Sequence, residues 1–287
     1  MYNHNLSMNT PIVSIIIPCF NQGKYLQEAL SSLQNIDYTI VEIIIVNDGS
    51  TDAFTNEYIS TLDIKKYTII TQENKGLGAA RNTGILISKG RYILPLDADN
   101  AINIQYINKG IEILDADENV AVVYGNAELF GDKVGILAPG KFNLQQLMWI
   151  NYIDACAVIR KSVLLEVGLY DTMPVMGYED WDLWLRIAFK GYKFYYINEV
   201  MFRYRVNANS MMRDLKKDNL RRNKIEEYLT HKYTDKLDFE YISNYFFYHL
   251  KKRPFSILYR LIVKKYFPNH YNKLILQNKL YKGHIYD

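Results

Sequence analysis

Residues 91–100 read Arg91-Tyr92-Ile93-Leu94-Pro95-Leu96-Asp97-Ala98-Asp99-Asn100. An apolar run stops at two carboxylates one residue apart. The run predicts a buried strand, and the Asp/Asn cluster behind it predicts a break. If the strand carries through the carboxylates, its two-residue alternation points Asp97 and Asp99 to one side. Such a pair repels unless a cation or hydrogen-bond donors neutralise it. A hard divalent ion, Mg²⁺ or Mn²⁺, held by one or two carboxylates and by substrate phosphates, meets that need. A polar turn leading into the next helix is the competing reading, since Asp-x-Asp-Asn is also turn chemistry.

Three similar strands precede this one. Val13 to Pro18 and Val41 to Val46 are β-branched runs, and Tyr67 to Thr71 is a shorter third. Between them Lys24 to Gln34 carries Tyr25, Leu26, Ala29, Leu30 and Leu33 at helical spacing. Ser50 or Thr51 can cap a second helix, and a third runs from the Glu73–Asn82 stretch to about Ser88. Beyond Asn100 the pattern predicts a helix to Ile113, a strand over Val120–Tyr124 and an irregular Gly125–Phe142. A helix over Leu144–Ile153, a strand over Ala155–Arg160, a short helix stopped by Gly168 and two closing strands, Lys193–Ile197 and Phe202–Val206, complete it. Alternation with short loops predicts a parallel or mostly parallel α/β sheet flanked by helices.

Ligands of such sheets bind outside the carboxyl ends of the strands, and the polar residues collect there. Phe20 and Asn21 follow the first strand, Asp48 the second, Gly76 and Arg81 the third, and Asp97 and Asp99 the fourth. The set suits a nucleotide: an aromatic for the base, carboxylates for base N–H or ribose hydroxyl, an arginine for phosphate. Gly76 and Gly78 follow the third strand and do not make a dinucleotide fingerprint; a Walker loop is absent.

In Gly177-Tyr178-Glu179-Asp180-Trp181-Asp182 a helix is due to start at Asp180, with Leu183, Trp184 and Ile187 as its apolar stripe. Carboxylates there can cap the helix and complement its dipole. One can instead face the cleft and take a proton from an incoming hydroxyl. All five histidines, His4, His231, His249, His270 and His284, lie outside residues 5–230. A general base in the body is therefore a carboxylate, and a histidine-built zinc site or triad there is excluded.

Val13 to Asn21, Ile45 to Asp52, Asn74 to Gly84, Leu96 to Asp99 and Gly177 to Trp181 resemble, in order and spacing, the motifs of family 2 glycosyltransferases. The resemblance covers roughly residues 11–212. It implies a GT-A fold (a Rossmann-like, mostly parallel sheet flanked by helices), a nucleotide-sugar donor, commonly UDP-linked, Mg²⁺ or Mn²⁺, and inversion at the anomeric carbon. By that likeness Pro18, Phe20 and Asn21 line the base pocket, Asp48 reads the uracil, and Gly76 and Arg81 lie near the nucleotide. Asp97 contacts ribose, sugar or metal, Asp99 holds the metal, and Asp154 is a weaker candidate for the donor hydroxyls. Asp180 matches the general base; Glu179 is its understudy, and Trp181 could stack on an acceptor sugar. Many relatives carry a histidine after the last closing strand, where this chain has Asn207 or Asn209. That puts a third protein ligand for the metal in doubt, and leaves Arg205 or Ser210 to close over the diphosphate.

The composition sets outer bounds. With 49% hydrophobic residues the 287-residue chain reads as a globular protein. No apolar run approaches the ~18–20 residues of a membrane span. Two separated cysteines, Cys19 and Cys156, imply no disulfide framework and fit a reducing cytoplasm. The net charge of +3 hides an asymmetry: Leu215 to Asp287 holds 16 Lys and Arg against 7 Asp and Glu, leaving 18 against 24 elsewhere. This divides the chain into a GT-A domain over 1–212 and a basic, aromatic-rich helical extension over 213–287. Subunit contact in a homo-oligomer, a peripheral face at the inner side of a membrane, and nucleic-acid binding are the readings of the extension, the last without a recognisable module. A non-catalytic sugar-nucleotide or scaffold protein and a nucleotidyltransferase are the rival functions. The second calls for a glycine-rich basic loop after the first strand, where Cys19-Phe20-Asn21 stands instead.

Overall fold

The structure, a computed structural model, describes residues 11–207 and 219–236 and a few positions between 255 and 270. The chain divides into two units, Met1–Ala208 and Asn209–Asp287.

In the first unit β1 (Val13–Cys19) is buried along its whole length. It lies between β2 (Val41–Asn47) and β4 (Tyr92–Pro95), both parallel to it, and β3 (Tyr67–Thr71) continues the sheet beyond β2. Burial on both faces is why these strands are continuous Ile/Val runs rather than alternating ones. Helices α1 (Gly23–Ser31), α2 (Ala53–Ser60) and α3 (Leu77–Ile87) are the crossovers. Because β2 and β3 lie on one side of β1 and β4 on the other, the strand order reverses at β1. A crevice follows at the carboxyl ends of β1 and β4. The carbonyl of Ile16 accepts from Leu96 N–H at 2.9 Å, so Pro18, two residues on, turns its missing N–H past the end of β4.

The second half adds β5 (Ala101–Ile102), α4 (Gln105–Ala116), β6 (Val120–Gly131), β7 (Gly135–Leu137), α5 (Leu144–Trp149), β8 (Val158–Arg160), α6 (Lys161–Val167), α7 (Glu179–Phe189) and β9 (Lys193–Val206). The strand order is β3-β2-β1-β4-β8-β6-β9-β5, with β7 paired to β6. β8 is antiparallel to β4 and β6, and β9 is parallel to β6 and antiparallel to β5, so the sheet is mixed. The antiparallel joins matter for function. Continuing the β4–β8 register of Tyr92↔Arg160 and Ile93↔Ile159 brings Asp154 to the end where Asp97 lies. Continuing Ala101↔Arg203 brings Arg205 beside Asp99.

Several elements differ from the sequence reading. Gly125–Phe142 is not irregular throughout: β6 runs on to Gly131 and forms a hairpin with β7. The two closing strands are one, β9. The cap of α2 is Asp52, whose carboxylate accepts from Thr55 N–H at 2.8 Å, rather than Ser50 or Thr51. β4 stops at Pro95, so Asp97 and Asp99 are placed by a turn and not by strand alternation. Cys19 and Cys156 are free and buried.

In the second unit α8 (Asn219–Lys232) buries Ile225 and Leu229, one helical turn apart. The stretches expected as helix over 241–250 and as a basic cluster over 251–254 lie outside the described residues. Among the described residues no helix is long and apolar enough to cross a membrane.

The seat of α3 on β1 is tight enough to test. A Cβ at Gly84 would stand 2.4 Å from Ile16 Cγ2, a branched side chain fixed in the central strand. On a free helix Gly→Ala stabilises by roughly 0.5–1 kcal/mol. Here the overlap reverses the sign, and Gly84→Ala is expected to destabilise by about 1–3 kcal/mol. That corresponds to a drop in Tm of several degrees, at about 2–4 °C per kcal/mol for a unit of this size. An unchanged or raised Tm by calorimetry would contradict the packing.

Candidate active site

The first wall of the crevice is a set of loops stitched together by side chains. Asp48, buried after β2, accepts from Gln72 Nε2 at 2.7 Å, Lys75 N at 3.0 Å and Gly76 N at 2.9 Å. It fixes the loop that starts α3. Gly76 is the N-cap of that helix at φ +88°, a left-handed conformation that glycine adopts without strain. Asn21 crosses from the β1 loop to the β2 loop: its Oδ1 accepts from Thr51 N at 2.7 Å and Asp52 N at 3.1 Å, and its Nδ2 donates to Thr51 Oγ1 at 3.1 Å. Its own φ is +54°. Asn21 therefore shapes the pocket rim through its neighbours. Phe20, 42% exposed, is the free aromatic surface of this wall.

The floor is a charge cluster. Arg81, on the second turn of α3, is buried and donates from Nη2 to Asp97 Oδ1 at 2.6 Å. Burial alone would lower its pKa, but Asp97 and the neighbouring Tyr170, Glu179 and Asp180 outweigh it and hold the guanidinium charged. Its guanidinium also lies 5.3 Å from the centre of the Tyr170 ring. Asp97, Asp154 and Asp180 interact with this cation, and a fourth carboxylate, Asp99, lies beside Asp97 and Arg205. Burial, reinforced by the charge of Asp97, pushes Asp99 up to about 7 and Asp154 up to about 7. Burial also pushes Asp180 up to about 6, against the pull of Arg81 and a hydrogen bond from Asn151. Tyr204, on β9, faces the same four carboxylates; burial and their charges raise its phenol, which stays protonated.

The third wall is the start of α7. Two indole N–H groups clamp α5 and the α5–β8 connection onto it, Trp181 Nε1 to Leu147 O at 2.5 Å and Trp184 Nε1 to Ile153 O at 3.0 Å. Trp184 is core, as its spacing predicts; Trp181 is only 7% exposed. Trp181 thus anchors α5, and its buried face does not offer the sugar platform expected from the sequence. The clamp places Asn151 and Asp154 beside Asp180. The three carboxylates of the first turn separate by partner. Asp182, fully buried, pairs with Arg186 at 2.8 Å, and Arg186 in turn donates to Val167 O at 2.6 Å and Leu169 O at 2.5 Å. Glu179, also buried, turns back to Gly177 N at 3.2 Å. Glu179 and Asp180 both act on Arg81, and Asp180 is the one that also reaches Asn151 and Asp154. The N-cap, Tyr178, makes no capping side-chain bond, and within the first turn Asp180 Oδ1 accepts from Trp181 N–H at 2.9 Å.

The Asp97–Asn100 turn is held from β9. Arg205 donates its N–H to Asn100 Oδ1 at 3.0 Å and its Nε to Asp99 O at 3.1 Å, pairs with Glu28, and packs over Tyr25 and Phe130. Its expected place over a diphosphate is thus taken by a buttressing one. Among the described residues no three His, Cys, Asp or Glu side chains gather as a metal cage. The donor set fits an ion that draws most of its ligands from phosphates and water. The Asp99 carboxylate and the second oxygen of Asp97 are the groups able to hold it. Asn207 ends the described part of this unit; Asn209 and Ser210 lie outside the described residues. Asn151, Tyr170 and Tyr204 were not found from the sequence, where each sits in an unpatterned loop or an apolar strand with nothing to single it out.

The mixed α/β sheet, with its order reversed over a carboxylate-lined crevice, is similar to the fold of GT-A glycosyltransferases. The chain belongs to glycosyl transferase family 2, whose model matches residues 14–168. It is 31% identical over 231 residues to an uncharacterized glycosyltransferase of Rickettsia prowazekii, covering 76% of this chain and 70% of the relative. Among solved structures it is similar to Staphylococcus aureus TarS 1–349 in complex with UDP-GlcNAc, with a TM-score of 0.57 and 19% identity over 70% of this chain and 60% of that one. It is also similar to the mannosyltransferase PcManGT of Pyrobaculum calidifontis in complex with GDP-Man and Mn²⁺, with a TM-score of 0.56 and 16% identity over 95% of this chain and 85% of that one. At these identities the two structures speak to the fold.

Asp48 tests the stitched wall. In Asp48→Asn one acceptor oxygen becomes an NH₂ donor, and one of the Lys75 and Gly76 N–H groups loses its partner. The expected loss is about 1–3 kcal/mol in urea unfolding. A midpoint equal to that of the parent would contradict the role.

Proposed function

We propose that the protein transfers a sugar from a nucleoside diphosphate sugar, with uridine the favoured base, to a hydroxyl of a glycan, lipid-linked or protein-linked acceptor, with inversion at the anomeric carbon. The observation that carries this reading is the place of Asp180. Of three carboxylates in one helical turn, Asp182 is taken up by Arg186 and Glu179 turns back to Gly177 N–H, while Asp180, hydrogen-bonded to Asn151 and Trp181 N–H, acts on Arg81 beside Asp97 and Asp154. The UDP-GlcNAc and GDP-Man held by the two similar structures support a nucleotide-sugar donor, and the Mn²⁺ of one supports a divalent cation.

In this reading the base stacks on Phe20 between Pro18 and the rim set by Asn21, and the lone pair left on Asp48 accepts from a base N–H. Asp97, its Oδ1 engaged by Arg81, offers its other oxygen to ribose, sugar or metal. Asp99 holds the cation, which when bound neutralises the diphosphate and stabilises the charge gained on departure. Asp154 accepts from a donor hydroxyl. Asp180 takes the acceptor's proton as that oxygen bonds to C1. The C1–O bond to the phosphate breaks on the opposite face, its electron pair leaves with the nucleoside diphosphate, and the configuration inverts. With a carboxyl near pH 6, Asp180 is ionised, and so able to act as base, at neutral pH.

Asp180→Asn is expected to keep calorimetric affinity for UDP-sugar with Mn²⁺ and to lose nucleoside diphosphate release, water serving as acceptor, by roughly 10²-fold or more. In the parent, kcat/KM should fall as pH drops through about 6, because protonation removes the base, and level off above it. Turnover retained in the variant would move the base elsewhere, first to Glu179.

A further inference from the structure

Among the described residues four buried side-chain polar atoms have no hydrogen-bond partner: Asp52 Oδ2, Arg81 Nε, Asn151 Oδ1 and Tyr170 Oη. Three of them belong to one corner. Arg81 and Tyr170 are stacked, Asn151 is hydrogen-bonded to Asp180, and Tyr170 senses the charges of Arg81, Asp180 and Asp97. An orphaned buried hydroxyl or amide is expensive, on the order of 1–3 kcal/mol each, so three in one place ask for an occupant. Nor is the tyrosine loosely placed: Asn82 grips its backbone on both sides, donating to Tyr170 O at 2.8 Å and accepting from Tyr170 N at 2.9 Å. With its ring 4% exposed, the hydroxyl is held in position without a partner.

The unpaired set identifies the class of ligand. Arg81 Nε and Tyr170 Oη are donors; Asn151 Oδ1 is an acceptor. Phosphate oxygens only accept and would leave Asn151 unpaired. A sugar hydroxyl both donates and accepts. The corner also lies between Asp97, on the donor side, and Asp180, which the proposed function makes the base. Under that reading the transferred sugar must lie between them. We infer that Tyr170, with Arg81 Nε and Asn151 Oδ1, forms a subsite for a hydroxyl of the transferred sugar, in which the Tyr170 hydroxyl acts as a positioning donor. The inference rests on the proposed function and assigns its sugar-holding groups.

The atoms are covered, and the cover is the segment that follows Tyr170. Its near end is fixed, since Leu169 N–H donates to Leu164 O at 2.9 Å, Arg186 donates to Leu169 O at 2.5 Å, and Asn82 holds Tyr170. Its Met176 reaches over Gly76 at the start of α3, and its far end turns at Gly177 and Tyr178, at φ +124° and +62°. In this proposal the sugar enters by displacement of that far end, with Tyr170 staying in place.

The test is Tyr170→Phe, which removes one oxygen and keeps the ring on Arg81. If the hydroxyl is unpaired until the sugar binds, the variant melts at the same or a higher temperature than the parent. Its calorimetric affinity for UDP with Mn²⁺ is unchanged, while kcat/KM for nucleoside diphosphate release from the UDP-sugar falls roughly 10- to 100-fold. A clearly lower Tm would mean the hydroxyl is already paired in the free protein, by a resident water or a neighbour, and would overturn the inference. An equal loss of affinity for UDP and UDP-sugar would place the contact on the diphosphate and also overturn it. Parent-like turnover in the variant would overturn this inference alone. A parent protein that binds no nucleotide sugar would overturn the proposed function and the subsite together.

Discussion

The Arg81–Asp97 pair is the interaction on which the site depends. One buried guanidinium stands among Asp97, Asp154 and Asp180, with Asp99 beside Asp97, and burial, reinforced at Asp99 and Asp154 by the charge of Asp97, keeps three of the four carboxyls well above their ordinary range. Arg81, with Arg205 acting on Asp99, does not balance four carboxylates. The free crevice is accordingly poised to take on positive charge, proton or metal, and to order hydroxyl-rich ligands by donating to and accepting from them. Removing Arg81 would leave the carboxylates without their only buried counter-charge among these groups, a larger disturbance than loss of any one of them.

The pair is where it is because of the sheet. Reversal of strand order at β1 opens the crevice, α3 presents Arg81 to it from one side, and the β4 turn presents Asp97 from below. The antiparallel strands then add what a purely parallel sheet cannot. β8 runs against β4 and delivers Asp154 at its amino end, while β9 runs against β5 and delivers Arg205 to the back of the Asp97–Asn100 turn. The two indole clamps from α7 close the ring by tying Asp180 to the same loop that carries Asn151 and Asp154.

The parallel half of this arrangement was legible in the sequence. A parallel sheet sends every strand's carboxyl end to one edge, so polar residues after four apolar runs must gather there, and Asp48, Gly76, Arg81 and Asp97 do. The antiparallel half was less legible, because short strands such as β8 carry no period of their own and their direction is set by partners distant in sequence. Single side chains were misread for a related reason. Trp181 and Arg205 have residue types that suit sugar and phosphate, yet tertiary partners 34 and 106 positions away in sequence bury one and occupy the other. Asp97 and Asp99 were expected together on a strand and are together on a turn, which serves both the polar-turn reading and the carboxylate-pair reading. Tyr170 could not have been found at all, since what marks it is a partner that is missing.

The central claim is that this crevice binds a nucleotide sugar through its carboxylates and a divalent cation. The most direct measurement is the melting temperature of the full chain with UDP-, GDP- and dTDP-sugars, each with and without Mn²⁺. A ligand that binds only the folded state raises Tm, by more as its concentration exceeds its Kd. The account predicts a rise of several degrees with a UDP-sugar that requires Mn²⁺. A cooperative melt that no nucleotide sugar shifts, with or without the metal, would contradict it.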